Sequence, residues 1–306
     1  MRKDSQTLKA DVALLTDHRF MHTPEADDWY LQNIMKDDFH LQQALTERGI
    51  TSVRLDWADP TVDWGSFKCL VFRTTWDYYN RAAEFSAWLD KVAKQTKLCN
   101  PLEIIRWNMD KHYLADLEKQ GIPIVPSVFL EAGSGIIFSD VMKEKGWHEA
   151  VIKPCIAGGA RLTYRLNFEN AAEIQKNLSE WLEKEAFILQ PFMHQILEQG
   201  EDTLMVMNGV YTHAIKKRAK QGDFRVQDDY GGSVHHLDPK PEQIKLAEEA
   251  MAACGQTLAY GRVDMVQDET GHWQIMELEV IEPELWIRYH PESAQAFADG
   301  ILEILK

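Results

Sequence analysis

Tyr260 to Glu284 reads YGRVDMVQDETGHWQIMELEVIEPE, two alternating runs around a turn. Arg262 to Val266 alternate polar and apolar, Asp268 to Gly271 carry turn residues, and Trp273 to Ile281 alternate again, which predicts a β-hairpin. A period of two then decides which side chains meet. Arg262 and Asp264 share one face, as do Glu277 and Glu279, and if the two faces coincide three carboxylates converge beside a guanidinium. Like charges that close are costly without a cation among them, and hard oxygen donors suit Mg²⁺ or Mn²⁺ rather than zinc. Alternation alone supports a second reading equally, in which these are the solvent-facing charges of an ordinary half-buried hairpin.

The chain has 306 residues, room for a sizeable core in two or three lobes. Its 45% hydrophobic and 26% charged content is ordinary for a globular protein. A formal charge of -15 leaves no basic field for nucleic acid or an anionic membrane, so phosphate binding must be local. The N-terminal MRKDSQTLKADVALLT holds an apolar run too short for a signal core or a membrane span, and predicts a cytoplasmic protein. Cys69, Cys99, Cys155 and Cys254 lack metal-knuckle spacing and read as reduced packing residues, with Cys155 worth attention because it borders a glycine-bearing loop.

From the N-terminus, a strand at Val12 to Leu15, an amphipathic helix through Leu31, Ile34, Met35, Leu41 and Leu45, strands at Ser52 to Leu55 and Lys68 to Phe72, a helix from Arg81 to about Gln95 and a strand near Leu98 predict an open α/β layer. Such sheets bind ligands beyond the carboxyl ends of their strands. That edge carries Arg73, Trp76, Asp77 and Tyr78: Arg73 could clamp a carboxylate between aromatic walls, or pair structurally with Asp77. Asp17, His18 and Arg19 read as a solvated mixed-charge loop. Asn108 is a plausible cap for a helix that carries Lys111 in its first turn.

AVIKPCIAGGAR, Ala150 to Arg161, is a strand ending at Lys153 and running into Gly158 and Gly159. An ammonium beside exposed backbone N–H groups is what a polyphosphate requires, yet the spacing matches neither the Walker loop nor the dinucleotide fingerprint, and a tight hairpin turn is the commoner reading of two glycines. Beyond a strand at Phe187 to Phe192, a hairpin through Asn208-Gly209 carries Lys216, Lys217 and Arg218, and the loop QGDFRVQDDYGG with Arg225 is long enough for a lid. A helix from Pro241 to about Gly255 and a last one from Glu292 to Leu305 complete the chain.

In this order Lys111, Lys153-Pro154, Gly158-Gly159, Gln190-Pro191-Phe192, Glu201, Lys216-Lys217-Arg218, Arg225, Arg262-Val263-Asp264 and Glu277-Leu278-Glu279 resemble the ATP-grasp superfamily, in the branch of glutathione synthetase and the D-alanine ligases. RTTWDYYNRAAEFSAWL, NPLEIIRWNMDKHYL, GDFRVQDDYGG and MELEVIEPEL are similar to the group containing the O-ureido-serine cyclo-ligase of cycloserine biosynthesis. The resemblance implies an α/β (α+β) ATP-grasp fold: an N-terminal open α/β domain over residues 1–100, and an ATP-grasp domain over 101–306 with a lid at about 123–189 and an antiparallel C-terminal sheet.

It further implies an ATP-dependent carboxylate–amine ligase acting through an acyl phosphate. Lys111, Lys153, Gly158, Gly159, Lys216 and Arg218 would meet phosphates, Gln190 and the backbone near Phe192 would read adenine, and Glu201 would hold ribose. Asp264, Glu277 and Glu279 would hold Mg²⁺ or Mn²⁺, two ions being expected, while Arg225 and Arg262 neutralise the transferred phosphoryl group. Arg73, Trp76, Asp77, Trp286 and Arg288 would border the substrates, a small carboxylate and an amine. Two positions depart from the family: Glu279 stands where Asn is common, and Gln190 where Glu is common. A kinase using the same ATP site, a non-catalytic nucleotide-binding protein and a two-metal nuclease are the rival readings; dimerisation is common among related ligases, though no interface is legible.

Overall fold

The computed structural model describes residues 9–226 and 231–306, so Gln227 to Tyr230 of the expected lid loop and the first eight residues lie outside the described residues. The first sheet is built from β1 (Val12–Thr16), β2 (Ser52–Asp56), β3 (Cys69–Thr74) and β4 (Lys97–Cys99), all parallel, in the order β2-β1-β3-β4. Val12, Ala13, Leu14 and Leu15 are fully buried, as an unbroken apolar run must be when both faces of a parallel strand are covered. The helix Trp29–Glu47 is capped by Asp28, whose carboxylate accepts the Leu31 N–H at 3.0 Å, and ends just before Gly49, which takes φ +73°.

A second, antiparallel sheet holds β5 (Val128–Leu130), β6 (Glu149–Pro154), β7 (Tyr164–Asn167) and β8 (Phe187–Pro191) in the order β5-β8-β6-β7. The third, also antiparallel, holds β9 (Glu201–Met207), β10 (Val210–Arg218), β11 (Ser233–His236), β12 (Tyr260–Gln267) and β13 (Trp273–Glu279) in the order β11-β10-β9-β12-β13. Asn208 and Gly209 both take positive φ between β9 and β10, the turn that an Asn-Gly pair favours. No helix among the described residues is long and apolar enough to cross a membrane.

The β12–β13 hairpin is fixed to its surroundings by buried polar side chains. Asn100 donates to the carbonyls of Tyr260 (2.9 Å) and Val280 (2.8 Å) and accepts the Ala259 N–H at 2.9 Å. Asn108 caps no helix; it is the last residue of the helix Leu102–Asn108. Its amide instead clasps β13, donating to Leu278 O at 2.7 Å and accepting the Val280 N–H at 3.0 Å, so the helix expected to start at Asn108 begins only at Tyr113–Lys119, and Lys111 lies in the gap before it rather than in its first turn. Each contact satisfies a buried backbone group that would otherwise cost about 1–3 kcal/mol.

Candidate active site

The register of the hairpin puts Arg262 opposite Glu279 and Asp264 opposite Glu277, with a bulge just past Asp264. One oxygen each of Asp264, Glu277 and Glu279 lies within 4.8 Å of the others. Arg262 reaches Asp264 at 2.8 Å and also pairs with Glu279, while Lys111 holds Glu277 at 3.0 Å and Ala157 O at 2.8 Å. Lys217, opposite Glu201 on the β9–β10 ladder, pairs with Glu201 and lies 3.3 Å from Asp264, to which the Thr203 hydroxyl donates at 2.7 Å. Burial pushes the Asp264 carboxyl up, but Arg262 and Lys217 outweigh it and hold the group at about 2. Burial drives Glu279 the other way, to about 7, with Arg262 opposing and the charges of Glu277 and Asp264 assisting. Three oxygen donors within reach of one another fit a hard divalent cation.

One cleft joins this cluster to the second sheet and to the carboxyl edge of the first, lined among others by Lys153, Gly158, Gln190, Phe192, Trp76 and Trp286. Burial lowers the Lys153 ammonium, with the Glu277 charge opposing; among the described residues it has no carboxylate within ion-pair distance. A half-buried positive charge on the cleft wall with no carboxylate partner is a seat for an anion. Gly158 and Gly159 fold against Tyr79 of the first-sheet edge so closely that a Cβ at Gly158 would stand 2.7 Å from the ring, and one at Gly159 2.9 Å from the hydroxyl. Gln190 donates to the Ser127 hydroxyl at 2.9 Å, and Phe192 lies under the Arg165 guanidinium at 3.7 Å. At the other end Trp76 meets Phe20 (5.4 Å) and Tyr30 (6.0 Å) and donates from its indole N–H to Glu282 O at 2.8 Å.

The N-terminal domain of the D-cycloserine synthetase DcsG matches residues 12–100. The cycloserine biosynthesis protein DcsG of Streptomyces lavendulae is 32% identical over 284 residues, covering 87% of this chain and 93% of the relative. The chain belongs to the ATP-grasp superfamily. A crystal structure of D-cycloserine synthetase DcsG superposes with a TM-score of 0.84 at 31% identity, over 96% of this chain and 99% of that one. The ATP complex of D-alanine–D-alanine ligase from Bacillus anthracis shares the fold, with a TM-score of 0.67 at 14% identity over 97% of both chains. This ATP-grasp protein is an ATP-dependent carboxylate–amine ligase.

The ATP-grasp cleft gathers most of the residues singled out in the sequence: Lys111, Lys153, Gly158, Gly159, Gln190, Phe192, Glu201, Arg225, Arg262, Asp264, Glu277, Glu279, Trp76 and Trp286 all line it. Five do not line it. Arg73 is buried on the opposite face of β3, 3.0 Å from Asp38, with its guanidinium over Phe297. Asp77 is taken by the Trp57 indole N–H and by Arg81, both at 2.7 Å. Arg288 is held by Asp37 (2.9 Å) and Glu284 (2.6 Å). Lys216 and Arg218 flank Lys217 on β10 and point to the other side, Lys216 to Asp202 and Arg218 to Glu198 O. Arg19 and Glu282 line the cleft without having been singled out. The Asp17 to Arg19 loop is no solvated run either, since Asp17 is fully buried and accepts Arg19 at 2.6 Å. Cys155 is buried, and burial pushes its thiol far up, the state of a packing residue.

Proposed function

We propose that ATP lies along this cleft with its phosphates over Lys111, Lys153 and the Gly158-Gly159 loop, adenine beside Gln190 and Phe192, and ribose near Glu201. The three carboxylates of the β12–β13 hairpin would hold two Mg²⁺ or Mn²⁺ ions, which supply charge neutralisation at the β- and γ-phosphates. The observation that carries this reading is the oxygen cluster of Asp264, Glu277 and Glu279 facing Lys111 and Lys153 in one cleft. Residues 1–100 would serve the substrates and residues 101–306 the nucleotide, with about 123–189 as the lid.

A carboxylate oxygen of a small acid attacks the γ-phosphorus, the bond to the bridging oxygen of ADP breaks, and an acyl phosphate forms. An amine then attacks the acyl carbon, phosphate leaves with the electron pair of the broken C–O bond, and the amine proton passes to solvent or phosphate. Carboxylate and triphosphate repel one another, so Lys153, Arg225 and Arg262 screen them and keep the reacting atoms in line. Folding the glycine loop over the phosphates keeps water from the acyl phosphate. The likeness to cycloserine synthetases favours a substrate carrying both groups, and hence a cyclisation. An enzyme that draws on ATP and keeps its four cysteines unpaired belongs in the cytoplasm.

Mixtures of amino and ureido acids with ATP and Mg²⁺ should release ADP, and hydroxylamine should divert the intermediate to a hydroxamate. ADP release that never yields a hydroxamate counts against the acyl phosphate. A phosphorylated hydroxyl among the products would make the protein a kinase.

A further inference from the structure

Trp286 stands on the cleft wall with φ 44° and ψ 38°, a left-handed backbone that side chains other than glycine rarely adopt. Its Cβ is crowded there, and such a residue persists only where its surroundings over-determine it. They do so from both sides. Asp37, buried on the helix Trp29–Glu47, accepts the backbone N–H of Arg288 at 2.8 Å and the Arg288 guanidinium at 2.9 Å. The same guanidinium reaches back to the Glu284 carboxylate at 2.6 Å. Trp286 is thus the midpoint of a segment whose two ends are tied to each other and to a helix of the first hundred residues. The Tyr289 N–H donates to its carbonyl at 2.9 Å, and its chain neighbours Leu285 and Ile287 are fully buried.

The strained backbone places one ring. The centre of the Trp286 ring lies 5.6 Å from the Arg262 guanidinium and 5.7 Å from the Lys217 ammonium, and the side chain is buried, so it attracts both cations where water competes little. These are the two cations that share Asp264, Arg262 at 2.8 Å and Lys217 at 3.3 Å, and each also pairs with a further carboxylate, Glu279 and Glu201 respectively. Asp37 and Arg288 do not line the cleft. An ion pair that merely tied the helix to the C-terminal segment would need neither a left-handed tryptophan nor a ring set against two cations.

We propose that Asp37 is a positioning residue: through Arg288 it holds Trp286 against Arg262 and Lys217, and so sets the two cations that order the carboxylate cluster for ATP and its metal ions. This rests on the reading of the cleft as an ATP and metal site, and adds to it a residue outside the cleft on which the geometry of that site depends.

The test uses the full chain labelled with 5-fluorotryptophan, in which each of the ten tryptophans gives a ¹⁹F line and that of Trp286 is identified by its loss in Trp286→Phe. Asp37→Asn should shift or broaden that line, whereas Arg54→Met, which removes an ion pair from the adjoining Asp38, should leave it in place. Calorimetry with Mg²⁺ and the non-hydrolysable β,γ-imido analogue of ATP gives the second readout. Asp37→Asn and Trp286→Leu should each weaken binding about five-fold, and the double variant should bind no worse than Trp286→Leu alone. Arg288→Lys, which keeps the charge and loses the fork, should show a smaller change of the same kind, and it replaces Asp37→Asn in both measurements if that variant does not fold. A Trp286 line that stays in place, or losses that multiply in the double variant, overturn the role of Asp37 and leave the ATP site standing. A wild type that does not bind the analogue with Mg²⁺ overturns the ATP-site reading, while the ¹⁹F line still decides whether Asp37 places Trp286.

Discussion

Lys216 and Lys217 follow one another on β10, and the alternation of the strand sends them to opposite faces. Lys217 is buried between Glu201 and Asp264, whereas Lys216 pairs with Asp202 away from the cleft. Lys217→Met should raise KM for ATP at least ten-fold and, by leaving two buried carboxylates short of a cation, cost about 3 kcal/mol of stability. Lys216→Met should leave KM for ATP within about two-fold; steady-state kinetics and denaturant titration of the two variants check both. Arg73 makes the complementary case. Asp38 receives Arg54 at 2.7 Å as well as Arg73, so Arg73→Met should lower stability by roughly 1–3 kcal/mol while KM for every substrate stays put. A thermal melt beside a kinetic assay separates those effects. Both residues belong to motifs visible in the sequence. Which of them faces the cleft follows from period two counted from a known face, and the face is known only when the sheets are assembled.

Hairpins, helices and their order were legible because their causes are local: Asn208-Gly209 makes its turn by positive φ, and Asp28 caps its helix. The carboxylate cluster was legible too, since alternation on β12 and β13 needs only a register to become three dimensional. The Asn108 clasp and the anchoring of Glu282 were not, because each joins segments more than a hundred residues apart. The glycine loop sits between these extremes. Two glycines suggested a phosphate cradle, but their tight neighbour is Tyr79, which no spacing rule connects to them. Gly158→Ala should push the loop off that ring and reduce kcat about ten-fold with little change in melting temperature. Combining it with Tyr79→Ala should restore much of the loss; a double variant no better than Gly158→Ala would mean that the added methyl interferes elsewhere. Single-turnover and steady-state rates of the three variants give the answer.

The sheets meet through buried polar contacts whose charge state ties stability to pH. His213 on β10 makes a 2.8 Å bond to Leu285 O and stacks on His290 at 5.5 Å. Burial lowers its pKa from 6.5 to about 4, with the Leu285 carbonyl opposing. Because the unfolded chain takes up that proton more readily, the stabilisation is complete above pH 6.5 and is lost as the pH falls from 6.5 to 4, by roughly 3 kcal/mol. Unfolding free energies between pH 7 and pH 4 should show this slope in the wild type and a shallower one in His213→Asn; equal slopes would remove His213 from the account. On the same scale, a chain with a net charge of -15 has to accommodate ATP and a second anion, and Lys111, Lys153, Lys217, Arg225 and Arg262 bring positive charge to the cleft wall where they would lie.

An acyl phosphate requires that an oxygen of the substrate acid end up in the phosphate released. With a substrate labelled with ¹⁸O in its carboxylate, mass spectrometry of the inorganic phosphate measures that transfer directly. One ¹⁸O per phosphate is the predicted result, and phosphate formed at the same rate without label would contradict it.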